Sequence, residues 1–517
     1  MSSSAPLPPL HGSALALLTV ALGLGTFMQV LDTSIANVSI PAIAGDLAVS
    51  PDQGTWVITS FAVSNAIALP LTGWLAKRIG EVRLFVLSTL MFTIASWLCG
   101  LAPNLPMLVA FRVLQGAVAG PMIPLSQSLL LANYPKEKKG IALALWSMTV
   151  IVAPILGPIM GGWITDNISW PWIFYINIPV GMLSAFLTWQ MLRNRETETA
   201  RFPIDGVGLA LLIIGIGTLQ ILLDKGNDLD WFESRDIVIL GVISTVALAF
   251  FLVWELTEKH PIVDLHLFSM SRNFTVGVIT LSIGYLVFFG NVVILPLWLQ
   301  TQMGYTATWA GMAAAPIGIL SLFLAPLVGK NMHKIDLRIW ASFSFFVFAG
   351  VSFWNSHFNT EVSFEQLAIP RLIMGLGVAT FFVPLTALTL SDIPHKALAS
   401  AAGLSNFARI LAGSFGTSLS ITLWNRRSDL HHSQLADHLV AGTPGVSEAL
   451  HGLNSLGLSG QGAYAALERT TTQQAVMLAT NEIFWLSGVL FAVLMVFVWM
   501  ARPPKQESPG AATSGAH

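Results

Sequence analysis

Residues 14–38 read ALALLTVALGLGTFMQVLDTSIANV, twenty-five positions with a single charge, Asp32. A membrane crossing needs about 20 mostly apolar residues as a helix. Lipid admits only helices or closed barrels, because no backbone group can be left unpaired there. The run is unbroken rather than alternating, so it predicts a helix. Working outward, runs bounded by charge or by Gly/Pro clusters recur near 54–76, 84–102, 105–131, 141–164, 172–192, 206–224 and 236–254. Six more fall near 274–299, 307–328, 339–356, 366–390, 402–424 and 481–501. The expected fold class is an all-α polytopic membrane protein of fourteen transmembrane helices. Composition agrees: 54% of the 517 residues are hydrophobic and 10% charged, against about 25% charged in an ordinary soluble chain. Mean hydropathy is +0.70.

Short-loop lysines and arginines fix the expected orientation. Lys77, Arg78 and Arg83; Lys136, Lys138 and Lys139; Arg193, Arg195 and Arg201; and Lys330, Lys334 and Arg338 fall on one side, which is read as cytoplasmic together with both termini. The first dozen residues hold no lysine or arginine, and the apolar run after them continues into Asp32, so it reads as a retained helix rather than a signal peptide. The chain also repeats itself. Arg112, Gly116, Pro135 and Gly157 recur as Arg371, Gly375, Pro394 and Gly416 at an offset of 259, and Pro70-Leu71-Thr72-Gly73 recurs as Pro326-Leu327-Val328-Gly329 at 256. The expected organisation is a tail at 1–13, a six-helix bundle at 14–192, two inserted helices with flanking loops at 193–273, and a second bundle at 274–501. That second bundle contains an outward loop at 425–480, and a tail follows at 502–517. Repeated six-helix halves related by an axis along the membrane normal place a transport site near the midplane between them.

Several function classes are excluded. A net charge of −2 gives no basic footprint for nucleic acid. The single cysteine, Cys99, rules out a disulfide framework. There is no nucleotide-binding Gly-x4-Gly-Lys-Ser/Thr loop, and neither a metallohydrolase nor a serine-hydrolase motif, so no enzyme activity, cofactor or metal is expected. His431, His432 and His438 lack further ligands at set spacing and read as a solvated loop.

Ionisable residues inside a span are costly and usually face a cavity or one another. Asp32 and Arg112 both lie about 6–10 Å below the outer surface, at 1.5 Å per residue from their helix ends. They are expected to share a polar network in which Asp32 binds and releases a proton as its distance from Arg112 changes. In the fifth run, Gly157, Pro158, Gly161 and Gly162 give a smooth, bent helix surface suited to a gate, since glycines admit close neighbours and prolines bend the rod. Between the second and third runs, Gly73, Lys77, Arg78, Gly80 and Arg83 form a charged loop expected to gate the cytoplasmic side. A mostly apolar cavity is expected from Gln29, Asn37, Gln115, Trp146, Tyr285, Phe288, Phe289 and Asn291.

These motifs resemble those of the major facilitator superfamily, in its fourteen-span drug/proton antiporter branch. The resemblance rests on Leu31-Asp32-Thr33-Ser34-Ile35-Ala36-Asn37-Val38 through Pro41, on Arg112-Val113-Leu114-Gln115-Gly116, and on Gly157-Pro158 with Gly161-Gly162. It rests also on the stretch from Trp170 through Asn177 to Gly181. The loop Gly73 to Arg83 departs from the family pattern, with Lys77 where an aspartate is usual. The resemblance implies proton-driven export of lipophilic compounds across a bacterial inner membrane. It also implies two partners: a periplasmic membrane-fusion adaptor and an outer-membrane channel. The alternative is a proton-coupled transporter of one metabolite in the same fold, working without an adaptor.

Overall fold

The computed structural model describes residues 10–503 apart from 136–137, 201–204, 260, 333 and 440–443. Most of the expected tails, Lys136, Arg201 and the Pro158 side chain lie outside the described residues. Setting single-turn helices aside, the chain runs α1 (Gly12–Asp46), α2 (Trp56–Ala68), α3 (Thr72–Ile79), α4 (Glu81–Gly100), α5 (Leu105–Ala119), α6 (Met122–Asn133), α7 (Lys139–Asn167) and α8 (Asn177–Leu192). It continues α9 (Gly206–Lys225), α10 (Arg235–Thr257), α11 (Arg272–Gln302), α12 (Ala307–Ala314), α13 (Pro316–Asn331) and α14 (Leu337–Asn355). The last are α15 (Phe364–Leu390), α16 (Leu398–Asp437), α17 (Pro444–Ser455) and α18 (Gln461–Phe497). No strand occurs among the described residues.

Helix starts are set by short polar side chains that accept from orphan backbone N–H groups. Asn104 caps Met107, Asp205 caps Val207 and Gly208, Ser271 caps Phe274, and Ser363 forms a reciprocal capping box with Gln366. Eleven stretches among the described residues are long and apolar enough to cross a membrane, twelve if the bent pair α2–α3 is one crossing. The chain is a multi-pass membrane protein. The α2–α3 run, expected as one straight rod, bends by 62° at Leu69-Pro70-Leu71, where a proline removes a helix hydrogen bond. Of the expected fourteen, the runs containing α7 and α16 are not among these stretches; within α7 only Lys139–Val150 counts as a shorter apolar helix.

Two helix lengths differ from expectation. First, α1 does not stop near residue 38 but runs through Pro41 to Asp46, so Asp32 stands fourteen residues from its end, about 21 Å at 1.5 Å per residue. Secondly, the stretch 425–480, expected as a loop, is mostly helical. The polar extensions of α16 and α18 are tied by Arg427, whose Nε and Nη2 donate to the Glu482 carboxylate, and by His432 Nε2 at 2.8 Å from Glu468 Oε1.

Packing follows the repeat. Arg112 and Arg371 are each the eighth residue of their helix, α5 and α15. Gly116 lies so close to Phe61 and Ser64 of α2 that an added Cβ would strike them, and Gly375 meets Ile317, Leu320 and Ser321 of α13 in the same way. One apolar core gathers Leu22, Phe61, Phe85, Phe92 and Trp146, and another gathers Phe345, Phe348, Phe381 and Phe491. Large side chains on α10, including Phe250 and Val253, remain exposed, as expected of a helix whose outer face meets lipid rather than water.

Candidate functional site

Four side chains from α1, α5 and α8 converge in the first part of the chain. Asp32 and Arg112 are both fully buried, and Arg112 Nη1 donates to Asp32 Oδ2 at 2.6 Å. Gln115, one turn after Arg112, accepts from Nη1 through Oε1 at 2.7 Å and donates through Nε2 to Asp32 Oδ1 at 3.1 Å. Asn177 Nδ2 donates to the same Oδ1 at 2.8 Å and to Ser96 Oγ at 3.0 Å. Arg112 Nε donates to the Val57 carbonyl at 2.9 Å, and the guanidinium lies over the Phe61 ring at 4.3 Å. The carboxylate therefore accepts from three side chains while its counter-charge is held by a backbone carbonyl and an aromatic face. Such a pair is poised to respond to any movement of α1 against α5.

The expected pairing of Asp32 with Arg112 is the arrangement seen. Gln115, expected in the substrate cavity, sits in this network instead. Asn177 enters the sequence reading only as part of the signature stretch Trp170 to Gly181, with no role attached, and Ser96 is not singled out there.

The gate candidates lie beside the network. Gly157 packs on Ser34 and Gly161 on Ile35, two and three residues beyond Asp32 on α1, and at either glycine an added Cβ would meet α1 main chain or side chain. Gly162 is half-buried. Thus α7 and α1 touch almost backbone to backbone next to the carboxylate.

In the charged loop, Gly80 has φ +96°, a conformation few side chains tolerate, and it abuts Glu196. Glu196 accepts from Val82 N at 3.0 Å and Arg83 N at 2.9 Å, capping α4 in place of a local side chain, with Arg83 Nε 3.9 Å away. The Lys77 carbonyl accepts from Ala200 N at 2.8 Å. Arg78 lies over the Trp74 ring at 5.2 Å. Gly73 packs against Ser400 at the start of α16, and Gly140 of α7 meets the main chain of Gly329 of α13. Asn406 Nδ2 donates to Gln127 Oε1 at 2.7 Å. The segment up to Gly140 and the segment from Gly329 onward are therefore held together at the end carrying the basic loops.

The remaining cavity candidates scatter. Gln29 donates to Asn65 Oδ1 at 3.4 Å, Trp146 Nε1 donates to Ser126 Oγ at 2.8 Å, and Asn291 Oδ1 accepts from Ser487 at 2.9 Å; all three are buried. Asn37 is exposed. Tyr285, Phe288 and Phe289 do assemble, with Tyr285 and Phe289 stacked at 5.4 Å and Phe288 edge-on to Phe289 at 5.7 Å. Of the cavities among the described residues, one of about 830 Å³ is lined by residues including Trp231, Trp424, Arg426 and Glu468, and one of about 160 Å³ lies beside Gly140 and Met332. None of the eight candidates lines either.

Three likenesses bear on this geometry. The family profile described as Major Facilitator Superfamily matches residues 22–417. The chain is 54% identical over 510 residues to the multidrug export protein EmrB of Escherichia coli (strain K12), covering 98% of this chain and 99% of that one. It is 52% identical over 503 residues to the fatty acid resistance protein FarB of Neisseria gonorrhoeae, with 97% and 99% covered. Among solved structures, a double-tryptophan mutant of XylE superposes with a TM-score of 0.64 at 14% identity, covering 96% of this chain and 98% of that one. That likeness concerns the fold alone.

Proposed function

The chain belongs to the major facilitator superfamily, a family of membrane transporters, and on that premise we propose that it is a proton-driven exporter of lipophilic and amphipathic compounds. The observation that carries the reading is the buried Asp32–Arg112 pair, locked by Gln115 and Asn177 and flanked by the Gly157 and Gly161 contacts to the same helix. Protonating Asp32 removes the charge that holds Arg112, so proton binding and the packing of α1 on α5 and α7 are one event. Opening of the outer end then exchanges a proton for cargo. One elementary charge crossing 100 mV gains about 2.3 kcal/mol, about a 40-fold concentration ratio at 1.4 kcal/mol per decade.

In this reading the chain crosses the bacterial inner membrane fourteen times, α7 and α16 being the two crossings beyond the twelve. The halves at 14–192 and 274–501 rock about the pair α9–α10. The loops carrying Lys77, Arg195 and Lys334 face the cytoplasm, where Gly73, Gly80 and Arg83 form the latch. The polar ends of α16 and α18 project outward and offer the surface for a periplasmic adaptor, with an outer-membrane channel beyond. One relative is named a multidrug export protein and another a fatty acid resistance protein, and those names support export of drugs and lipophilic compounds.

The test is reconstitution in sealed vesicles with an imposed pH gradient. Dye extrusion should be accompanied by substrate-dependent proton movement and abolished in Asp32→Asn. Extrusion without proton movement would refute the exchange; export in whole cells without any adaptor would refute the tripartite part.

A further inference from the structure

The inserted helix α9 touches both halves of the molecule, and its last turns do so with polar groups. Towards the first half, Lys225 Nζ donates to Thr55 Oγ1 at 2.8 Å, and Thr59 Oγ1 donates to the Asp224 carboxylate. The Lys225 side chain is only 12% exposed, and its ammonium lies 5.9 Å from the centre of the Trp56 ring. It is committed to the start of α2 rather than to solvent, with Asp228 Oδ2 at 3.3 Å balancing its charge. Seven residues before Asp224, on the same stripe of α9, Gly217 looks onto Val63 and Ile67 of α2.

Towards the second half, another face of α9 meets residues spaced four apart on α16. Gln220 Nε2 donates to Ser414 Oγ at 3.2 Å, the Leu223 carbonyl accepts from Ser418 Oγ at 2.5 Å, and Asn227 Oδ1 accepts from Thr422 Oγ1 at 3.4 Å. Polar groups that bond across helices in lipid fix how the rods sit against each other. Because α9 starts on the side of the basic loops and ends at Lys225, these contacts lie at the opposite end from Gly140 and Gly329.

The grip on α2 brackets one residue that matters to Arg112. Thr55 and Thr59 flank Val57 within one helical turn, and the Val57 carbonyl is the acceptor of Arg112 Nε. A carbonyl has a second lone pair beyond the one its helix uses, so the guanidinium is steadied by the position of that turn. Sliding or turning the start of α2 moves the acceptor, and with it the charge facing Asp32. A shift of α16 therefore reaches α9 through Ser414, Ser418 and Thr422, passes to α2 through Lys225 and Asp224, and ends at Arg112.

We propose that Lys225 and Asp224 are positioning residues for the Asp32–Arg112 pair, and that α9 is the link through which the second half sets whether that pair is closed. The inference rests on the exporter reading and gives the inserted helices a part in it.

The test measures coupling rather than rate. The full chain is reconstituted in sealed vesicles with an imposed pH gradient, and protons moved per ethidium expelled are counted for wild type, Lys225→Met, Lys225→Arg and Ser418→Ala. Lys225→Met and Ser418→Ala, at the two ends of the link, should each lower that ratio about 2- to 10-fold, the equivalent of one hydrogen bond. Lys225→Arg should keep most of it. A merely structural role would slow export and lower the melting temperature with the ratio unchanged, and that result overturns the proposal. A second measurement needs no transport: the melting temperatures of Lys225→Met, Asp32→Asn and the double variant in one detergent. Residues in one network should give a double loss smaller than the sum of the single losses, whereas independent sites add; additive losses overturn the link. Where Lys225→Met does not fold, Thr55→Val replaces it in both measurements. Absence of ethidium-dependent proton movement in wild type refutes the exchange, and the melting temperatures then decide the link alone. Exchange in wild type with an unchanged ratio in every variant refutes the link and leaves the exchange.

Discussion

Replacing Asp32 by asparagine keeps the shape of the side chain and removes its charge, and the structure specifies the damage. Oδ2 accepts from Arg112, while Oδ1 accepts from both Gln115 and Asn177. An asparagine amide has one acceptor and one donor end, so in either orientation its NH2 faces at least one N–H. Turning Gln115 over does not help, because its Oε1 is already needed by Arg112 Nη1. Two unit charges about 4 Å apart at an effective permittivity of about 20 attract by about 4 kcal/mol, and removing one partner of a buried pair costs about 3–5 kcal/mol because the other is left uncompensated. Asp32→Asn is therefore expected to lose about 3–5 kcal/mol of stability, measured as a lower melting temperature of the purified protein in one detergent. The double variant Asp32→Asn with Arg112→Gln removes both charges and should recover most of that loss, since neutralising a buried pair as a whole is often nearly free. Its proton-coupled transport should stay at background. A single variant as stable as wild type, or a double variant no more stable than the single, would show that the pair does not carry the energy assigned to it.

Gly157→Ala places a methyl group against Ser34; overpacking of this kind costs about 1–3 kcal/mol, and vesicle transport should fall further than stability alone explains, as read from initial rates against melting temperature. Asp336, outside the spans, caps Arg338 N at 2.9 Å and pairs with its guanidinium at 2.6 Å; those hydrogen bonds hold its carboxyl below the usual carboxylate range. Because the folded value lies below the unfolded one, the stabilisation is complete above the unfolded value and is lost as pH falls through the folded one. Asp336→Ala should thus cost about 1 kcal/mol, equally from pH 8 to pH 5, with the difference from wild type shrinking only below about pH 4; a difference that grows on acidification would contradict the assignment.

The apolar runs and the repeat were readable from sequence because lipid imposes length and hydropathy directly. The Asp32–Arg112 contact was readable for a related reason: few charges sit at that depth, and each must find a partner. Two things were not. The polar extensions of α16 and α18 have no hydropathy signal, since a helix outside lipid needs only propensity and partners such as Arg427 and Glu482. Asn177 reaches Asp32 across 145 residues, a contact set by the rotation of α8 about its axis, which no local pattern encodes.

The contact between Gly140 and Gly329 constrains how this protein can vary. Elsewhere in a packed core an enlarged residue can be accommodated by trimming the one it meets. Here each residue meets the other's main chain, and glycine has nothing left to trim. A substitution at either position has no suppressor at its partner, so relief must come from displacing one helix relative to the other. Second-site revertants of changes at Gly140 or Gly329 should therefore map to residues that set the spacing of α7 and α13 rather than to the glycines themselves.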